Sequence, residues 1–353
     1  MKKALTTLIL FASIYSFAQQ DPYFTHFKDV MQTYNPAAAG EHWGKICVSG
    51  LTHHQWRDYD DQTFTRGKDG DPNYNNDVIY DIAPVTYNLN IGTSFRLSKD
   101  NSKFLGAGLT IIDDKIGYTK STSFMLNLNY KMMFQGDFRE IAVGAGLGGT
   151  QWGWDKPNYK SKDQLDPNIP ITGGNQMKFD ANFGAMFKQK RMSIFQDFYA
   201  GLSVTNLNSA QYTVQLTTQG GNTTLARKFV PHYYTIVGAD YELNNGIILE
   251  PAILGKYALV GSEYRPQFDM NMTALFAKTF RGGIAYRQWG NADAISLLLG
   301  YEKDPLQVGY SYDITVSNVQ KVSNGTHEIF LKYCFGIETT PPSPIIRLTP
   351  RFL

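Results

Sequence analysis

Residues 306–316 read LQVGYSYDITV, and this stretch decides the fold class. Apolar side chains occupy every second position, namely Leu306, Val308, Tyr310, Tyr312, Ile314 and Val316. The positions between them carry Gln307, Gly309, Ser311, Asp313 and Thr315. Because successive side chains of a β-strand point to opposite faces, the pattern predicts a strand with one apolar face and one polar face.

The same alternation recurs along the chain, for example in FMLNLNY at 124–130 and in QFDMNMTA at 267–274. It marks segments near 44–58, 84–98, 103–113, 119–134, 138–154, 177–188, 195–205, 231–244, 247–258, 266–277, 280–289, 293–302, 305–317 and 325–337. Their typical length of roughly 10 to 15 residues suits tilted membrane strands. We therefore predict an antiparallel outer-membrane β-barrel of about 14 strands over residues 41–337.

The connections between these strands fall into two classes. Short turns at 99–102, 135–137, 245–246 and 303–304 alternate with long loops at 59–83, 155–176 and 206–230. Outer-membrane barrels have short turns on the periplasmic side and long loops outside the cell. An even number of strands then predicts that both chain ends are periplasmic.

The composition agrees with a barrel. The chain of 353 residues has 22 Tyr, 22 Phe and 32 Gly, and only 18% of its residues are charged. No run of about 18 apolar residues follows residue 18, so no spanning helix is expected. An aromatic-rich, glycine-rich exported chain is typical of outer-membrane barrels, and a secreted β-sandwich has a similar composition. The composition alone leaves both open.

Residues 1–18 have the features of a removable export signal. Lys2 and Lys3 precede a short apolar run, and Ser16-Phe17-Ala18 forms a small-x-small cleavage site. Without those two lysines, the 33 basic residues become 31 and equal the 31 acidic ones. Nucleic-acid binding depends on surplus positive charge, so no nucleic-acid partner is expected.

Residues 19–40, QQDPYFTHFKDVMQTYNPAAAG, predict a short amphipathic helix before the first strand. Asp21-Pro22 is a helix start, and Asn35-Pro36 ends the helix because a residue before proline avoids the α region. One face carries five apolar side chains at helical spacing, namely Phe24, Phe27, Val30, Met31 and Tyr34. We interpret the segment as a plug of the barrel, a rim element or a contact for a periplasmic partner; a simple leader to the first strand is the alternative.

Motifs that would indicate catalysis are absent. The sequence has no nucleophile elbow, no phosphate-binding glycine loop and no zinc-binding His-Glu-x-x-His helix, so neither an enzyme nor a cofactor is predicted. His53 and His54 lie in a strand, so their imidazoles should point to opposite faces. The loop 69–77, DGDPNYNND, spaces oxygen ligands like a calcium loop but lacks its turn glycine and final glutamate. A solvated surface loop is the favoured interpretation there.

The two cysteines lie in the first and last predicted strands. Barrel closure makes those strands antiparallel neighbours, with Cys47 and Cys334 both toward the periplasmic end. Both side chains share the less apolar face, so a disulfide across the closing seam is geometrically possible in an oxidising compartment. Two independent free thiols are the alternative.

An ordered set of motifs resembles the PorP/SprF family of type IX secretion system membrane proteins. The motifs are QQDPYFTHF at 19–27, YNPAAAG at 34–40, IIDDKIG at 111–117, YAGLSVTNL at 199–207, HYYTIVGADYEL at 232–243, GGIAYRQWGNADAISLLLGYE at 282–302, VGYSYDITVSN at 308–318 and SNGTHEIFLKYCF at 323–335. Three departures stand out, namely HHQW at 53–56, the long loop at 59–83 and the polar, Thr/Gln-rich loop at 206–230.

The resemblance implies a non-enzymatic outer-membrane component that serves secretion or surface attachment of cargo proteins, including gliding adhesins. It also implies three partners: outer-membrane lipid, other type IX secretion components, and secreted cargo or its C-terminal signal domain. A porin or transporter for a small solute is the alternative function. The Pro-rich tail 338–353 cannot pair inside the sheet, so we expect an extended periplasmic or lumenal segment or a disordered end.

Overall fold

The computed structural model describes residues 21–57, 83–134, 138–154, 170–218, 220–243, 246–260, 263–288, 293–316, 320 and 324–337. Three predicted features lie outside these residues, namely the export signal at 1–18, the loop at 69–77 and the tail at 338–353. Among the described residues, no helix is long and apolar enough to cross a membrane.

In the described part of the chain, sixteen strands follow a short N-terminal segment. The first eight are β1 (Lys45–His54), β2 (Val85–Arg96), β3 (Lys103–Ile116), β4 (Thr119–Phe134), β5 (Arg139–Trp154), β6 (Gly174–Met192), β7 (Phe195–Thr205) and β8 (Gln211–Thr218). The others are β9 (Gly221–Lys228), β10 (His232–Glu242), β11 (Ile248–Val260), β12 (Glu263–Phe276), β13 (Phe280–Gln288), β14 (Ala294–Lys303), β15 (Leu306–Thr315) and β16 (Thr326–Gly336).

Fourteen of these strands, β1 to β7 and β10 to β16, form a closed antiparallel barrel. Each strand pairs with its neighbours in the chain, and β7 pairs with β10 across an inserted hairpin. The barrel closes where β1 pairs with β16, from Lys45 opposite Gly336 to His54 opposite His327. The predicted fold class and the approximate strand number are therefore confirmed.

The two ends of the barrel differ. At one end, which we call the turn end, lie the start of β1, the end of β16 and the turns that include 97–102, 193–194 and 304–305. At the other end, which we call the loop end, the connections include 55–84, 155–173 and 206–231. Tight turns require few residues, whereas the longer connections leave room for structure above the barrel mouth.

The strand faces are divided as the alternation predicts. In β14, Ile295, Leu297 and Leu299 are exposed, whereas Ser296 and Leu298 between them are buried. Leu299 is 65% exposed, which is unfavourable in water and favourable against lipid acyl chains. The buried face looks into the barrel interior, where polar side chains such as Asn90, Asn127 and Glu328 are almost fully covered.

The N-terminal helix is shorter than predicted. Only Met31–Tyr34 is α-helical, here called α1, and Pro36–Ala38 adds one 3-10 turn. The predicted end at Asn35-Pro36 is confirmed, and Asn35 caps the turn by accepting a hydrogen bond from the Ala37 amide at 2.9 Å. The predicted start at Asp21 is wrong, because the backbone near Thr25 bonds to wall side chains instead of forming a helix.

The loop predicted at 206–230 contains a hairpin of β8 and β9, which form a separate two-stranded sheet. The alternation of Tyr212, Val214 and Leu216 with polar residues was the available signal, and all three side chains are buried. The hairpin packs on the inward-facing side of β5, because Tyr212 donates a hydrogen bond to the Thr150 carbonyl at 2.9 Å.

Candidate functional site: the filled lumen

Residues 21–40, here called the lumen segment, fill the centre of the barrel. The five side chains singled out in the sequence lie in one apolar cluster, where Phe24, Phe27, Val30 and Tyr34 are buried and Met31 is half-buried. The wall contributes inward-facing side chains to the same cluster, namely Leu51, Ala142, Met186, Tyr234, Ile236, Ala252, Leu254 and Phe330. Burying these aromatic rings stabilises the segment by roughly 1.5–3 kcal/mol per side chain.

Glu328 of β16 holds the beginning of the lumen segment. Its Oε2 accepts a hydrogen bond from the Thr25 backbone amide at 3.0 Å, and its Oε1 accepts one from the His26 amide at 2.7 Å. His53 Nδ1 of β1 lies 2.8 Å from Glu328 Oε2. The Glu328 side chain is 1% exposed, so these bonds form away from water, where an unmade bond would be costly. Backbone groups that would otherwise need helical partners are satisfied by the wall.

Arg287 of β13 forms a second anchor. Its guanidinium donates to Asp269 at 2.7 Å, to Asp313 at 2.8 Å and to the Thr25 hydroxyl at 3.0 Å. Its Cζ lies 3.8 Å from the centre of the Tyr23 ring. The buried cation is therefore paired with two carboxylates from the wall and stacked on an aromatic ring from the segment.

Asp29 and Lys28 extend this network toward the turn end. Asp29 Oδ1 lies 3.4 Å from Arg281 Nη1 and accepts a hydrogen bond from Gln307 at 2.8 Å. Lys28 Nζ donates to Glu250 Oε2 at 2.6 Å, and the Arg281 Nε donates to the same oxygen at 2.8 Å. The segment thus contributes a cation and an anion to this network, and the wall supplies the opposite charge for each.

Asp21 anchors the loop-end side of the segment. Its carboxylate accepts hydrogen bonds from the Tyr234 hydroxyl and the Asn206 amide, both at 3.0 Å, and lies 3.3 Å from His232 Nδ1. Lys256 donates to the Asp21 backbone carbonyl at 3.0 Å. The predicted N-cap aspartate therefore binds the wall and not a helix N-terminus.

The pKa values of the segment follow from these partners. Burial alone would raise the pKa of Asp29, but the Arg281 guanidinium and the His26 hydrogen bond hold it below its ordinary value. Burial acts in the same direction on Asp21, and His232 and Lys256 outweigh it, so that pKa is also lowered. Burial lowers the pKa of His26, but the bond to Asp29 and the charge of Glu328 raise it overall.

Two amide side chains of the segment bond directly to the backbone of the wall. Gln32 Nε2 donates to carbonyl oxygens of β2 and β3, at 3.3 and 3.1 Å. Asn35 Nδ2 donates in the same way to carbonyl oxygens of β6 and β7, at 3.1 and 3.2 Å. These carbonyl groups belong to paired strands of the barrel. The hydrogen bonds therefore fix the position of the segment relative to individual strands.

Inward-facing glycines allow this close approach. A Cβ added at Gly144 would lie 2.6 Å from the Ala37 backbone nitrogen, and one at Gly106 would lie 2.5 Å from the Ala39 carbonyl oxygen. Neither backbone atom can move aside cheaply. These contacts were not predicted, although glycines at alternate positions, as in GAGLGG at 144–149, were a readable signal.

A pocket of about 70 Å³ remains between the lumen segment and the loop-end hairpin. Asp21 and Tyr34 line its segment side, and Asp114, Asp180 and Phe229 are among the other lining residues. We call it the loop-end pocket. The Tyr212 ring packs beside it against Trp152 and Phe229, with ring centroids 6.0 and 5.2 Å apart.

The two cysteines are brought together. Cys47 and Cys334 are direct partners in the register of β1 and β16, and the structure joins their Sγ atoms at 2.08 Å. Nearby His42 forms with them the one group of metal-ligand side chains found among the described residues. Because the two sulfurs are bonded to each other, they offer no thiolate to a metal in this state.

The neighbouring histidines are separated, in agreement with the predicted strand geometry. His53 is buried beside Glu328, whereas the ring of His54 meets that of Tyr87 at 6.3 Å. Tyr87 is outward-facing and 52% exposed, so His54 is on the outer side of the wall. The pair cannot clamp one ion together.

Comparisons with known proteins give one family match and several structural matches. The model of the family described as "Type IX secretion system membrane protein PorP/SprF" matches residues 16–333. No curated protein matches the chain. Among solved structures, a Pseudomonas aeruginosa FadL homologue is similar at 11% identity, covering 86% of this chain and 92% of its own, with a TM-score of 0.50. The Ralstonia pickettii toluene transporter TbuX is similar at 12% identity, covering 87% and 93%, with a TM-score of 0.50. At these identities the likeness concerns the fold alone.

Proposed function

The chain belongs to the PorP/SprF family of type IX secretion system membrane proteins, and from this premise we propose that it assists secretion or surface attachment of cargo proteins by binding them. Membership supports a place in the outer membrane among other components of that machinery. The cargo, its C-terminal signal domain and gliding adhesins as clients are the proposed partners. We propose that the protein does this without catalysis.

The observation that carries the proposal is the filled lumen. Phe24 and Phe27 are 0% exposed at the barrel centre, where they pack on wall residues such as Leu51 and Phe330. A barrel whose centre is occupied by its own chain is suited to binding a partner at one of its ends. It is poorly suited to conducting a polypeptide through its middle.

Each barrel end offers a surface for a partner. We propose that the turn end, which holds the start of β1 and the end of β16, faces the periplasm and that the loop end faces outward. This orientation follows the rule that short turns are periplasmic in outer-membrane barrels. Cargo would then contact the loop end, and secretion components of the periplasm would contact the turn end.

Affinity capture of the native protein tests the proposal. The tagged full-length protein is solubilised from outer membranes in mild detergent, and the captured proteins are identified by mass spectrometry. We expect secreted cargo and other type IX components. A matched capture with an unrelated outer-membrane barrel controls for adhesion. Capture of barrel-assembly factors alone, together with normal secretion after deletion of the gene, would overturn the proposal.

A transporter for a small solute is the second candidate, and the loop-end pocket is the observation that favours it. Planar-bilayer conductance separates the two functions. A filled lumen predicts a closed wild-type barrel, and deletion of residues 21–34 should then raise conductance. A steady open pore in the wild type, with no secretion defect on deletion, would favour the transporter.

A further inference from the structure

The loop-end hairpin of β8 and β9 has two edges, and the edge of β8 is covered. The Thr213 amide donates to Gln176 Oε1 at 2.9 Å, and the Thr217 amide donates to Thr172 Oγ1 at 2.9 Å. The Thr217 carbonyl accepts a hydrogen bond from the Ile171 amide at 2.8 Å. The start of β6 and the residues just before it therefore satisfy these outward backbone groups of β8.

The register of the hairpin shows which backbone groups of β9 point outward. In an antiparallel pair, two directly opposite residues either bond to each other or direct their N–H and C=O groups away from each other. Thr213 and Thr217 bond outward, so their partners Ala226 and Asn222 also direct these groups outward. Thr224 lies midway between those two partners and has the same orientation. The outer edge of β9 therefore presents the N–H and C=O groups of these three residues.

This edge of β9 is exposed and has no described partner. Asn222, Thr224 and Ala226 are all exposed, and no described residue bonds to their outward backbone groups. In the described part of the chain, β9 pairs with β8 alone. Exposed strand edges are usually protected by a proline, a bulge or a charged side chain. The stretch from Gly221 to Ala226 has none of these devices.

The hairpin holds the free edge in a fixed position. On β8, Tyr212, Val214 and Leu216 are buried in one apolar cluster with Trp152 of the wall. On β9, the Arg227 guanidinium packs on the ring of Phe229, with its Cζ 4.6 Å from the ring centre. A partner strand would thus meet a preformed edge, and the entropy cost of ordering would fall on the partner alone.

The chemistry of the edge specifies its partner. An extended polypeptide repeats N–H and C=O groups at the spacing of a strand edge, and addition of such a strand is a common mode of peptide recognition. Residues 211–228 contain Arg227 and Lys228 and no aspartate or glutamate. Lys228 is exposed at the end of β9. The positive charge of the hairpin favours a partner segment that carries acidic side chains.

We propose that the free edge of β9 binds an extended, acidic segment of a secreted polypeptide, which adds to the loop-end hairpin as a third strand. The inference rests on the proposed function, because it specifies how cargo is held at the loop end. Backbone hydrogen bonds supply affinity with little dependence on sequence, whereas the charge of the hairpin selects acidic segments. This mode of binding suits cargo proteins that differ in sequence.

Isothermal titration of the full-length protein in detergent tests the edge. The probe is the peptide acetyl-Thr-Glu-Val-Thr-Val-Glu-Thr-amide. One comparison peptide is N-methylated at every residue, which removes its backbone donors, and another has lysine in place of both glutamates. We expect the probe to bind and each comparison peptide to bind about tenfold more weakly or less. Failure of the probe to bind, or equal binding of the N-methylated peptide, would overturn the proposal.

Proline substitution on β9 tests the same edge from the side of the protein. Thr224→Pro removes an outward N–H and leaves the bonds to β8 intact, because Thr224 and its partner Gln215 direct these groups away from each other. Affinity for the probe should fall about tenfold or more. Ala226→Pro should have the same effect. Thr224→Val keeps the N–H and is the matched control, with normal binding.

Thermal denaturation checks the orientation of these amide groups. Both proline variants should melt like the wild type, because neither loses a hydrogen bond within the hairpin. A lower melting temperature in both variants would show that these amides bond inside the hairpin, and that result would overturn the proposal. Unchanged affinity of both proline variants for the probe would overturn it as well.

Secretion by intact cells separates this inference from the proposed function. Thr224→Pro should reduce the amount of secreted cargo, and Thr224→Val should not. Normal secretion by Thr224→Pro, together with recovery of cargo in the native capture, would overturn the edge site and leave the proposed function standing. Absence of cargo from the wild-type capture would instead overturn the proposed function, whatever the peptide titration shows.

Discussion

Glu328 Oε1 accepts a hydrogen bond from the His26 backbone amide at 2.7 Å, across a separation of 302 residues. The last strand of the barrel therefore holds the beginning of the described chain. The lumen segment can make this contact only when β16, which supplies Glu328, is in place. Docking of the segment is therefore a property of the closed barrel.

Replacing this carboxylate should loosen the lumen segment. In Glu328→Gln, the amide group must turn one N–H toward a backbone N–H of the segment, so at least one bond is lost. We expect docking to weaken by about 1.5–3 kcal/mol, the usual range for hydrogen bonds to charged groups. The rate of limited proteolysis within residues 21–40, in detergent, measures this weakening of docking.

Glu302→Gln is the matched control for that experiment. Glu302 also lies in the wall and pairs with Arg281 at 2.8 Å, but its side chain is 42% exposed and it has no bond to the segment. Surface pairs contribute about 0–1 kcal/mol, so proteolysis should change little. Equal protection of the segment in both variants would contradict the role assigned to Glu328.

A side chain added at an inward-facing glycine should displace the lumen segment. In Gly144→Ala, the new methyl would lie 2.6 Å from the Ala37 nitrogen, a clash that overpacking data place at about 1–3 kcal/mol. We expect faster hydrogen exchange at residues 35–39 and a lower melting temperature. Gly50→Ala on β1 is the control, because no atom lies within 4 Å of its added Cβ. Identical behaviour of the two variants would show that the segment does not require a glycine at position 144.

The seam disulfide stays a prediction that peptide mapping can test directly. Under non-reducing conditions, we expect one peptide pair linked through Cys47 and Cys334. Because the link closes a separation of 287 residues, Cys334→Ser should lower the free energy of unfolding by about 2–4 kcal/mol. Cys47→Ser should have the same effect, and the double variant no more. Recovery of both cysteines as alkylated free thiols would refute the bond.

Docking of the lumen segment should depend on pH with two opposite slopes. The lowered pKa values of Asp21 and Asp29 mean that their contribution is complete above their ordinary value of 3.8 and is lost as pH falls through the folded values. The raised pKa of His26 means that its contribution is complete below its ordinary value of 6.5 and is lost as pH rises through the folded value. Protection from proteolysis should therefore be greatest between about pH 4.5 and 6.5.

Asp29→Asn separates the acid side of this profile from general acid unfolding. In this variant the lumen segment should dock more weakly at pH 6. Its protection from proteolysis should also fall less on acidification, because one titrating carboxylate has been removed. Asp304→Asn, which removes a 74% exposed partner of Lys45, should keep the wild-type profile. A flat profile in the wild type would show that the ion pairs contribute nothing to docking.

The sequence predicted the barrel well because its evidence is local and repeated. In each strand, apolar and polar side chains alternate with a period of two residues. The alternation arises because one face of the strand meets lipid and the other meets the polar interior of the barrel. The short turns and the helix end at Asn35-Pro36 are equally local. The alternation of Tyr212, Val214 and Leu216 was also local, and we overlooked it because the surrounding loop is polar.

The conformation of the lumen segment could not be predicted from local sequence alone. The spacing of Phe24, Phe27, Val30, Met31 and Tyr34 gave the correct apolar set, yet only Met31–Tyr34 is helical. The earlier residues satisfy their backbone groups with Glu328 and Asn271, which lie far away in the chain. No pattern within 21–34 carries that information, so an amphipathic period was taken for a longer helix.

The sequence by itself determined the closed antiparallel barrel, its two-faced strands and the apolar character of the N-terminal segment. Only the tertiary structure decided that this segment lies in the lumen, which wall charges hold it, and which edge of the loop-end hairpin has no partner strand in the described part of the chain. The physical reason is that strand patterning depends on solvent and lipid, which act on every residue of the chain separately. Ion pairs and close packing depend on which distant residues barrel closure brings within a few ångströms.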